Sequence, residues 1–239
     1  MRKILAASAT AVLLSSAVLA QNNHDSRETL EGNGKLVTRE ISVQPFDALK
    51  AGGVYELKLT QGEKESVKIE ADENLQELFS VSNEGSKLVI DTKKLKNKNL
   101  KTKNKMKVYV TFRKINSLDL STVGSVQSEN ELKFDKLDLD AKSVGNVTLK
   151  LTANQLNLDN KGVGDVQLSG SADNAVVKNK GVGSLQASGF VVQTMDIENS
   201  GVGHAEVNAE KSLKVKDSFL GKVKNKGAAP VRNMKKVVI

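Results

Sequence analysis

Apolar residues recur along the second half of the chain in a fixed pattern around a short glycine phrase. The phrase occurs six times, as TVGSV, SVGNV, GVGDV, GVGSL, GVGHA and FLGKV, and the intervals between its shared glycines are 21, 19, 19, 20 and 18 residues. Repeats of this length that contact mainly their neighbours are typical of solenoid proteins. The shared glycines are Gly124, Gly145, Gly164, Gly183, Gly203 and Gly221.

An apolar column lies six residues before the shared glycine in all six repeats, and a second lies eight residues before it in five of them. Mostly polar residues alternate with them, which is the periodicity of a strand with one buried face. Leucine and β-branched residues, which suit a packed pleated sheet, predominate in both columns. The pattern therefore predicts strands that stack in register about 4.8 Å apart. The predicted core columns are Leu118, Leu139, Leu158, Val177, Ile197 and Val215, and Leu137, Leu156, Ala175, Met195 and Leu213.

The glycine phrase itself predicts the geometry of the turn. Valine precedes the shared glycine in five repeats, and we interpret this position as core. A second glycine, two residues before the shared one in three repeats, predicts a corner with positive φ, because glycine adopts such a conformation without steric cost. Asparagine stands four residues before the shared glycine and predicts an interior ladder of hydrogen-bonded amides. These residues are Gly162, Gly181 and Gly201, and Asn160, Asn179 and Asn199.

Acidic residues form an outward column five positions before the shared glycine. Asp119, Asp140 and Asp159 occupy it in three successive repeats, with a predicted spacing of roughly 5 Å. This spacing resembles the carboxylate pair of a retaining glycosidase or half of a calcium site. The alternative, which we favour, is a solvated column neutralised by lysines, since like charges so close together need partners. The flanking lysines are Lys142, Lys161 and Lys180.

The composition leaves little other chemistry. The chain has no cysteine and two histidines, His24 and His204, which are too few for a metal cluster and lack the company of a Ser–His–Asp arrangement. We therefore predict no catalytic residue, no cofactor and no metal ligand. A lyase that uses lysine as its base remains the enzymatic alternative.

The N-terminus predicts export. Residues 1–20 have two basic residues followed by an apolar, alanine-rich stretch that ends in Ala20, as in a secretory signal peptide. We predict a flexible leader at 21–40, a single β-helix domain at 41–239 and no membrane span in the mature chain. Within the domain, 60–112 is predicted to be an antiparallel excursion that caps one end, 113–226 the repeats and 227–239 a terminal strand.

One segment, 93–107, contains eight lysines and no acidic residue. We favour a charge-blunted edge or hairpin tip, and the functional alternative is a docking patch for an anionic surface such as lipopolysaccharide, an acidic polysaccharide or a surface protein. Nucleic acid is a poor candidate, because no aromatic residues interleave with the lysines. The candidate binding residues are Lys93, Lys94, Lys96, Lys98, Lys101, Lys103, Lys105 and Lys107.

The repeats, together with the preceding segment FDALKAGGVYELKLTQGEKESVKIEADENL (46–75), resemble the auto-transporter adhesin head GIN domain family of Gram-negative bacteria. The similarity covers about residues 41–226. The resemblance implies an all-β, right-handed parallel β-helix, here of six to eight coils, similar in shape to pectin lyases without their catalytic residues. It also implies a role in adhesion at the cell surface. The chain departs from the G-S-G wording of the family by placing valine between the two glycines.

Together these features predict an exported, non-enzymatic β-solenoid that binds a polymer or a partner surface. The expected location is the periplasm, the outer-membrane surface or the exterior of the cell. Two alternatives stay open: a β-helix enzyme that degrades glycans, and an envelope scaffold that binds nothing small.

Overall fold

A computed structural model describes residues 27–217 and 221–234, of which most are strand and very few are helix. The predicted signal peptide lies outside the described residues. The N-terminal strands are β1 (Thr29–Glu31), β2 (Leu36–Ile41), β3 (Ala48–Val54), β4 (Glu56–Gln61), β5 (Ser66–Asp72), β6 (Ser80–Glu84), β7 (Lys87–Asp91) and β8 (Asn99–Lys101), with short 3-10 helices at Glu73–Leu78 and Lys93–Leu95. The remaining strands are β9 (Lys107–Phe112), β10 (Ser117–Val123), β11 (Val126–Ser128), β12 (Leu132–Ala141), β13 (Val147–Asn160), β14 (Val166–Asn179), β15 (Leu185–Asn199), β16 (Ala205–Asp217), β17 (Val223–Asn225) and β18 (Val231–Asn233).

The strands stack as a β-solenoid of about six turns. Each of the long strands β12 to β16 pairs in parallel with the next, and equivalent residues of successive repeats stand directly above one another. Leu139, for example, pairs with Leu158, and Leu158 pairs with Val177. The predicted stacking in register is therefore confirmed.

The long strands β12, β13 and β14 each bend once, where the buried face changes phase. In β13 the buried residues alternate as far as Ala153, two consecutive residues, Asn154 and Gln155, are exposed, and the alternation resumes at Leu156. A strand that keeps one phase buries one straight face, so the two exposed residues mark the corner between two sides of the coil. The turn that contains the shared glycine joins one coil to the next.

The apolar columns predicted from the sequence fill the interior. Every member of the columns six and eight residues before the shared glycine is at most 3% exposed. The valine next to the glycine is different, because Val123, Val144, Val163, Val182 and Val202 are each about half exposed. The interpretation of this position as core is wrong: the valines lie on the outside of the turn and stack on one another through single bridges.

The two glycines of the phrase have different roles. The first five shared glycines, from Gly124 to Gly203, have φ between +128° and +145°, so they form the corner. Gly162, Gly181 and Gly201 do not have positive φ, which corrects the prediction for them. They are needed for space, since a Cβ atom on Gly162 would lie 2.6 Å from the Ser143 carbonyl oxygen.

The N-terminal coils do not follow chain order. β3 lies between β10 on one side and β7 on the other, and β4 lies between β11 and β9, with all four pairings parallel. Residues 60–112 therefore form more than an antiparallel excursion: β7 and β9 add a coil below the first one. Leu88 and Val108 continue the interior columns of Leu49 and Leu57, which explains why these strands join the stack.

Antiparallel strands cap this end. β5 pairs with β9 and β2 pairs with β5, while β6 forms a hairpin with β7 whose turn contains Gly85. The flexible leader predicted at 21–40 is wrong for most of its described part, because it contains β1 and all of β2 except Ile41, and β1 pairs in parallel with β8. Tertiary pairing orders this polar segment.

The C-terminal end is closed by short strands. β17 and β18 pair in parallel with β16, so a strand lies within the predicted terminal segment 227–239. The Asn225 side chain accepts hydrogen bonds from the Ala209 and Gly227 amides and donates to the carbonyls of Ala209, Gly227 and Ala229. Across the described residues, none of the helices is long and apolar enough to span a membrane.

Candidate functional site

The predicted carboxylate column lies on one lateral face of the solenoid. We define the lateral face as the outward residues of β3, β10 and the second halves of β12 to β16. Asp119 pairs in register with Asp140, and Asp140 with Asp159, so the three aspartates do stack on consecutive coils. Lys50 continues the column below them and Lys178 continues it above.

A groove of about 460 Å³ runs over this column. Small outward residues create the groove. Ala48, Ser117, Asp138 and Asn157 form one column in register, next to the charged column, and its first two members are small. Side chains are therefore shortest at the first two coils and the surface is lowest there. The charged and polar lining consists of Lys50, Lys87, Ser117, Asp119, Asp138, Asp140, Asn157, Asp159 and Lys178.

Lysines neutralise two of the three stacked aspartates. Lys142 Nζ lies 2.5 Å from Asp140 Oδ2, and Lys161 Nζ lies 2.6 Å from Asp159 Oδ2. Asp119 has a longer contact of 4.0 Å with Lys142. The hydrogen bond to Asp140 is the main reason why the pKa of Lys142 is raised. These contacts agree with the favoured interpretation of a solvated, lysine-neutralised column, although Lys180, the third predicted flanking lysine, has no ion-pair partner within 27–217 and 221–234.

A second polar chain runs beside the column. Asn157 Nδ2 donates to Asp138 Oδ1 at 2.6 Å, and Lys136 Nζ lies 3.1 Å from Asp138 Oδ2. The Asn157 hydrogen bond holds the pKa of Asp138 below its usual range. Asp138 is therefore ionised at neutral pH and accepts hydrogen bonds rather than donating them.

The asparagines face the interior and form the predicted ladder. Asn160 Nδ2 donates to Asn179 Oδ1 at 2.8 Å, and Asn179 Nδ2 donates to Asn199 Oδ1 at 2.7 Å. All three are buried, so the ladder has a structural role and is closed to ligands. Asp217 follows Asn199 in register but is exposed, and partial desolvation of its carboxyl raises the pKa of Asp217.

The lysine-rich segment is largely neutralised by acidic residues of the capped end and of the N-terminal arm, which we define as residues 27–31. Lys98 and Lys101 contact Glu28 and Glu31 of that arm at 2.9 and 3.0 Å. Of the other candidates, three contact carboxylates and Lys94 donates to the Glu77 carbonyl, while Lys96 and Lys103 have no acidic partner among the described residues. The three further ion pairs are Lys93–Asp91, Lys105–Glu56 and Lys107–Glu70.

The described residues hold no group of three or more histidine and acidic side chains that could bind a metal ion. His204 is exposed on the turn of its repeat, and His24 lies outside the described ranges. The stacked aspartates also do not form such a group, which leaves the calcium interpretation without support in the geometry.

The sequence analysis missed the lower end of the groove, which consists of Ala48, Lys50 and Lys87. A signal was present, because Gly53-Val54-Tyr55 echoes the repeat phrase. When the repeat alignment is extended to this segment, Val54 aligns with Val123 and Lys50 aligns with Asp119, and the structure shows the same pairs. Lys87 carried no such signal, since its strand joins the stack out of chain order.

Comparison with known proteins places these features in a family. A family model described as "putative auto-transporter adhesin, head GIN domain" matches residues 45–229. A putative adhesin from Bacteroides fragilis has a similar crystal structure, with 32% identity, a TM-score of 0.72, and coverage of 86% of this chain and 100% of that one. A search of curated proteins found no match.

Two structures from Parabacteroides distasonis share the fold at lower identity. One, named a putative lipid binding protein, is 18% identical with a TM-score of 0.59, and the other, named a putative adhesin, is 17% identical with a TM-score of 0.53. In both comparisons 87% of this chain and 100% of the other chain are covered.

Proposed function

This chain belongs to the putative auto-transporter adhesin, head GIN domain family, and from that premise we propose that it is an exported, non-enzymatic adhesion module. Its ligand is an extended polymer, a polysaccharide or the saccharide part of lipopolysaccharide, which lies along the lateral face. It acts at the cell envelope or outside the cell.

The observation that carries this proposal is the register of the lateral face. Outward residues repeat at the strand spacing of about 4.8 Å, from Lys50 through the three aspartates to Lys178. A surface that presents equivalent polar groups at equal intervals along one axis fits a ligand that also repeats along an axis. The groove gives this surface a concave part, where ligands bind preferentially.

The electrostatics of the groove favour binding over catalysis. A glycosidase needs one carboxylic acid with a raised pKa to protonate the leaving group, and the pKa of Asp138 is lowered instead. Asp140 and Asp159 are each engaged by a lysine that would have to be displaced before either could act as a nucleophile. These contacts support a binding role for the carboxylates.

The test is a glycan array probed with the full chain lacking residues 1–20, paired with a turnover assay on the same polysaccharides. We expect binding to at least one extended polysaccharide and no release of shorter products. The triple variant Asp119→Asn, Asp140→Asn and Asp159→Asn should weaken that binding at least tenfold. Asp173→Asn, an exposed acid away from the groove, is the matched control and should bind as the wild type does.

The outcomes separate the three functional classes. Product release that the triple variant abolishes would replace the adhesin proposal with a glycan-degrading enzyme. Absence of both binding and turnover, with the protein folded by circular dichroism, would contradict the proposal and favour an envelope scaffold.

A further inference from the structure

The charges of the groove are arranged unevenly along its length. Lys50 and Lys87 line its lower end and Lys178 its upper end, while the aspartates lie between them. Lys50 and Lys178 are four strand spacings apart in the register, which corresponds to about 19 Å at about 4.8 Å per strand. The groove therefore has a cationic group at each end and acceptors in its centre.

The terminal lysines differ from the central ones in having no ion-pair partner. Within 27–217 and 221–234, Lys142 and Lys161 contact aspartates, whereas no carboxylate lies within 4.0 Å of the ammonium groups of Lys50, Lys87 or Lys178. All three are exposed. An ammonium group without a partner can bind an anion without first giving up an existing ion pair.

The centre of the groove is less acidic than its four aspartates indicate. Three lysines outside the lining, Lys136, Lys142 and Lys161, contact three of these aspartates at 2.5 to 3.1 Å, and Lys142 also lies 4.0 Å from the fourth, Asp119. Together with the three terminal lysines, these lysines make six cations at the groove against four aspartates. An anionic ligand is therefore not repelled overall. The four aspartate side chains are 35 to 51% exposed, and Oδ1 of Asp140 and of Asp159 is buried. Hydroxyl groups can therefore donate to Asp119, to Asp138 and to the outer oxygen, Oδ2, of Asp140.

We propose that the groove binds an acidic oligosaccharide, with uronate carboxylates at Lys50, Lys87 and Lys178 and sugar hydroxyls donating to Asp119, Asp138 and Asp140. This ligand class carries charged groups at intervals along a chain rich in hydroxyl donors, which is the complement of the groove. The inference rests on the proposed function, because it names the polymer that the lateral face accepts.

The test compares two tetrasaccharides with the same backbone. The β-1,4-linked glucuronate tetramer carries carboxylates where cellotetraose carries hydroxymethyl groups. Dissociation constants are measured by isothermal titration calorimetry at low salt, with EDTA present so that bridging cations are removed. We expect the uronate to bind at least tenfold more tightly than cellotetraose, and the difference to shrink as salt is added.

Two double variants locate the site. Lys50→Gln with Lys87→Gln should weaken uronate binding at least tenfold and leave cellotetraose binding within twofold of the wild type. Lys64→Gln with Lys211→Gln makes the same change of net charge at exposed lysines outside the groove and should alter uronate binding less than twofold. Equal effects of the two double variants would overturn the assignment of the site.

The failure of this inference is distinguishable from that of the proposed function. If neutral polysaccharides bind in a way that depends on the stacked aspartates, and the uronate binds no better than cellotetraose, the acidic ligand is wrong and the adhesion module stands. If no saccharide binds, both are wrong.

Discussion

Gly164 shows how tightly a single residue is constrained where one coil passes to the next. Its φ of +128° lies in a region that residues with a side chain rarely adopt. A Cβ atom there would also lie 2.5 Å from the carbonyl oxygen of Gly145, one coil below. Because the neighbouring coil is held by parallel hydrogen bonds on both sides, neither the backbone nor its neighbour can move to relieve the contact.

We therefore expect Gly164→Ala to destabilise the protein by about 2 to 3 kcal/mol, the usual range for strain of this kind. The measurement is the free energy of unfolding from urea titration. Gly189→Ala is the matched control, because its φ is not positive and the nearest atom to its added Cβ is 3.8 Å away. The control should be within about 1 kcal/mol of the wild type, and a loss of stability as large as that of Gly164→Ala would contradict this account.

Asp72 is a buried carboxylate that holds the cap together. Asn104 Nδ2 donates to Asp72 Oδ1, and Thr102 Oγ1 donates to Asp72 Oδ2 at 2.8 Å. The hydrogen bond from Asn104 is the main reason why the pKa of Asp72 is lowered in the folded state. A lowered pKa means that the charged carboxylate stabilises the fold above the pKa of the unfolded chain, about 3.9.

We expect Asp72→Asn to lower the free energy of unfolding by about 1 to 3 kcal/mol at pH 7, since hydrogen bonds to a charged acceptor are lost. As the pH falls from about 4 through the lowered pKa, the wild type loses this contribution and the two proteins should converge. Urea titrations at several pH values measure the difference. Asp173→Asn controls for the loss of an exposed charge, and a difference that stays constant from pH 7 to pH 2 would contradict the assignment.

Among the elements, the asparagine ladder links three strands through their side chains. Asn179 of β14 accepts from Asn160 of β13 and donates to Asn199 of β15. A buried amide that loses its partner carries the full cost of desolvation. The middle residue therefore matters more than either end, because its removal leaves a donor and an acceptor unpaired on two different coils.

We expect Asn179→Ala to lower the free energy of unfolding by about 2 to 6 kcal/mol, from two unpaired groups of about 1 to 3 kcal/mol each. Asn174→Ala, on the exposed side of the same strand, should change it by less than about 0.5 kcal/mol. Equal effects of the two substitutions on unfolding would show that the amide ladder contributes nothing beyond the strand pairing.

The elements that repeat could be predicted from the sequence, and those that do not repeat could not. Leu139, Leu158 and Val177 occupy equivalent positions in the alignment, and stacking follows from that equivalence. The alignment could not show that Val163 points outward, because an apolar column looks the same whether its members pack on the core or on one another. Nor could it place β7 below β3, since that pairing joins strands out of chain order.

The candidate site was predictable to the same extent. The stacked aspartates and two of their flanking lysines lie as the repeat pattern indicated, with Lys142 on Asp140 and Lys161 on Asp159. The groove depends on Ala48, a small residue whose importance comes only from the larger side chains on other coils. Local sequence carries no signal for a depression of this kind.

At the scale of the whole molecule, the chain combines a net charge of +8 with lysines that are mostly engaged at the capped end. Lys98 and Lys101 hold the N-terminal arm through Glu28 and Glu31, so their charges are partly cancelled where they stand. Lys96 and Lys103 are exposed without an acidic partner in the described ranges. The lysine-rich segment thus has two kinds of lysine. Some form ion pairs that hold the N-terminal arm and the cap, and others are available to bind an anionic surface.

This division predicts different results for two double variants with the same change of net charge. Lys96→Gln with Lys103→Gln should lower retention on heparin, by about 1 kcal/mol of binding free energy for each lysine, as for basic segments at anionic surfaces. Lys98→Gln with Lys101→Gln should lower retention less, because each lost cation also frees a carboxylate, and should instead speed amide hydrogen exchange in β1. If both variants shift the elution salt equally, retention follows net charge alone and the segment is a solvated edge. If only the first shifts it, the two free lysines are the part of the segment that meets polyanions, and the remainder serves to hold the arm.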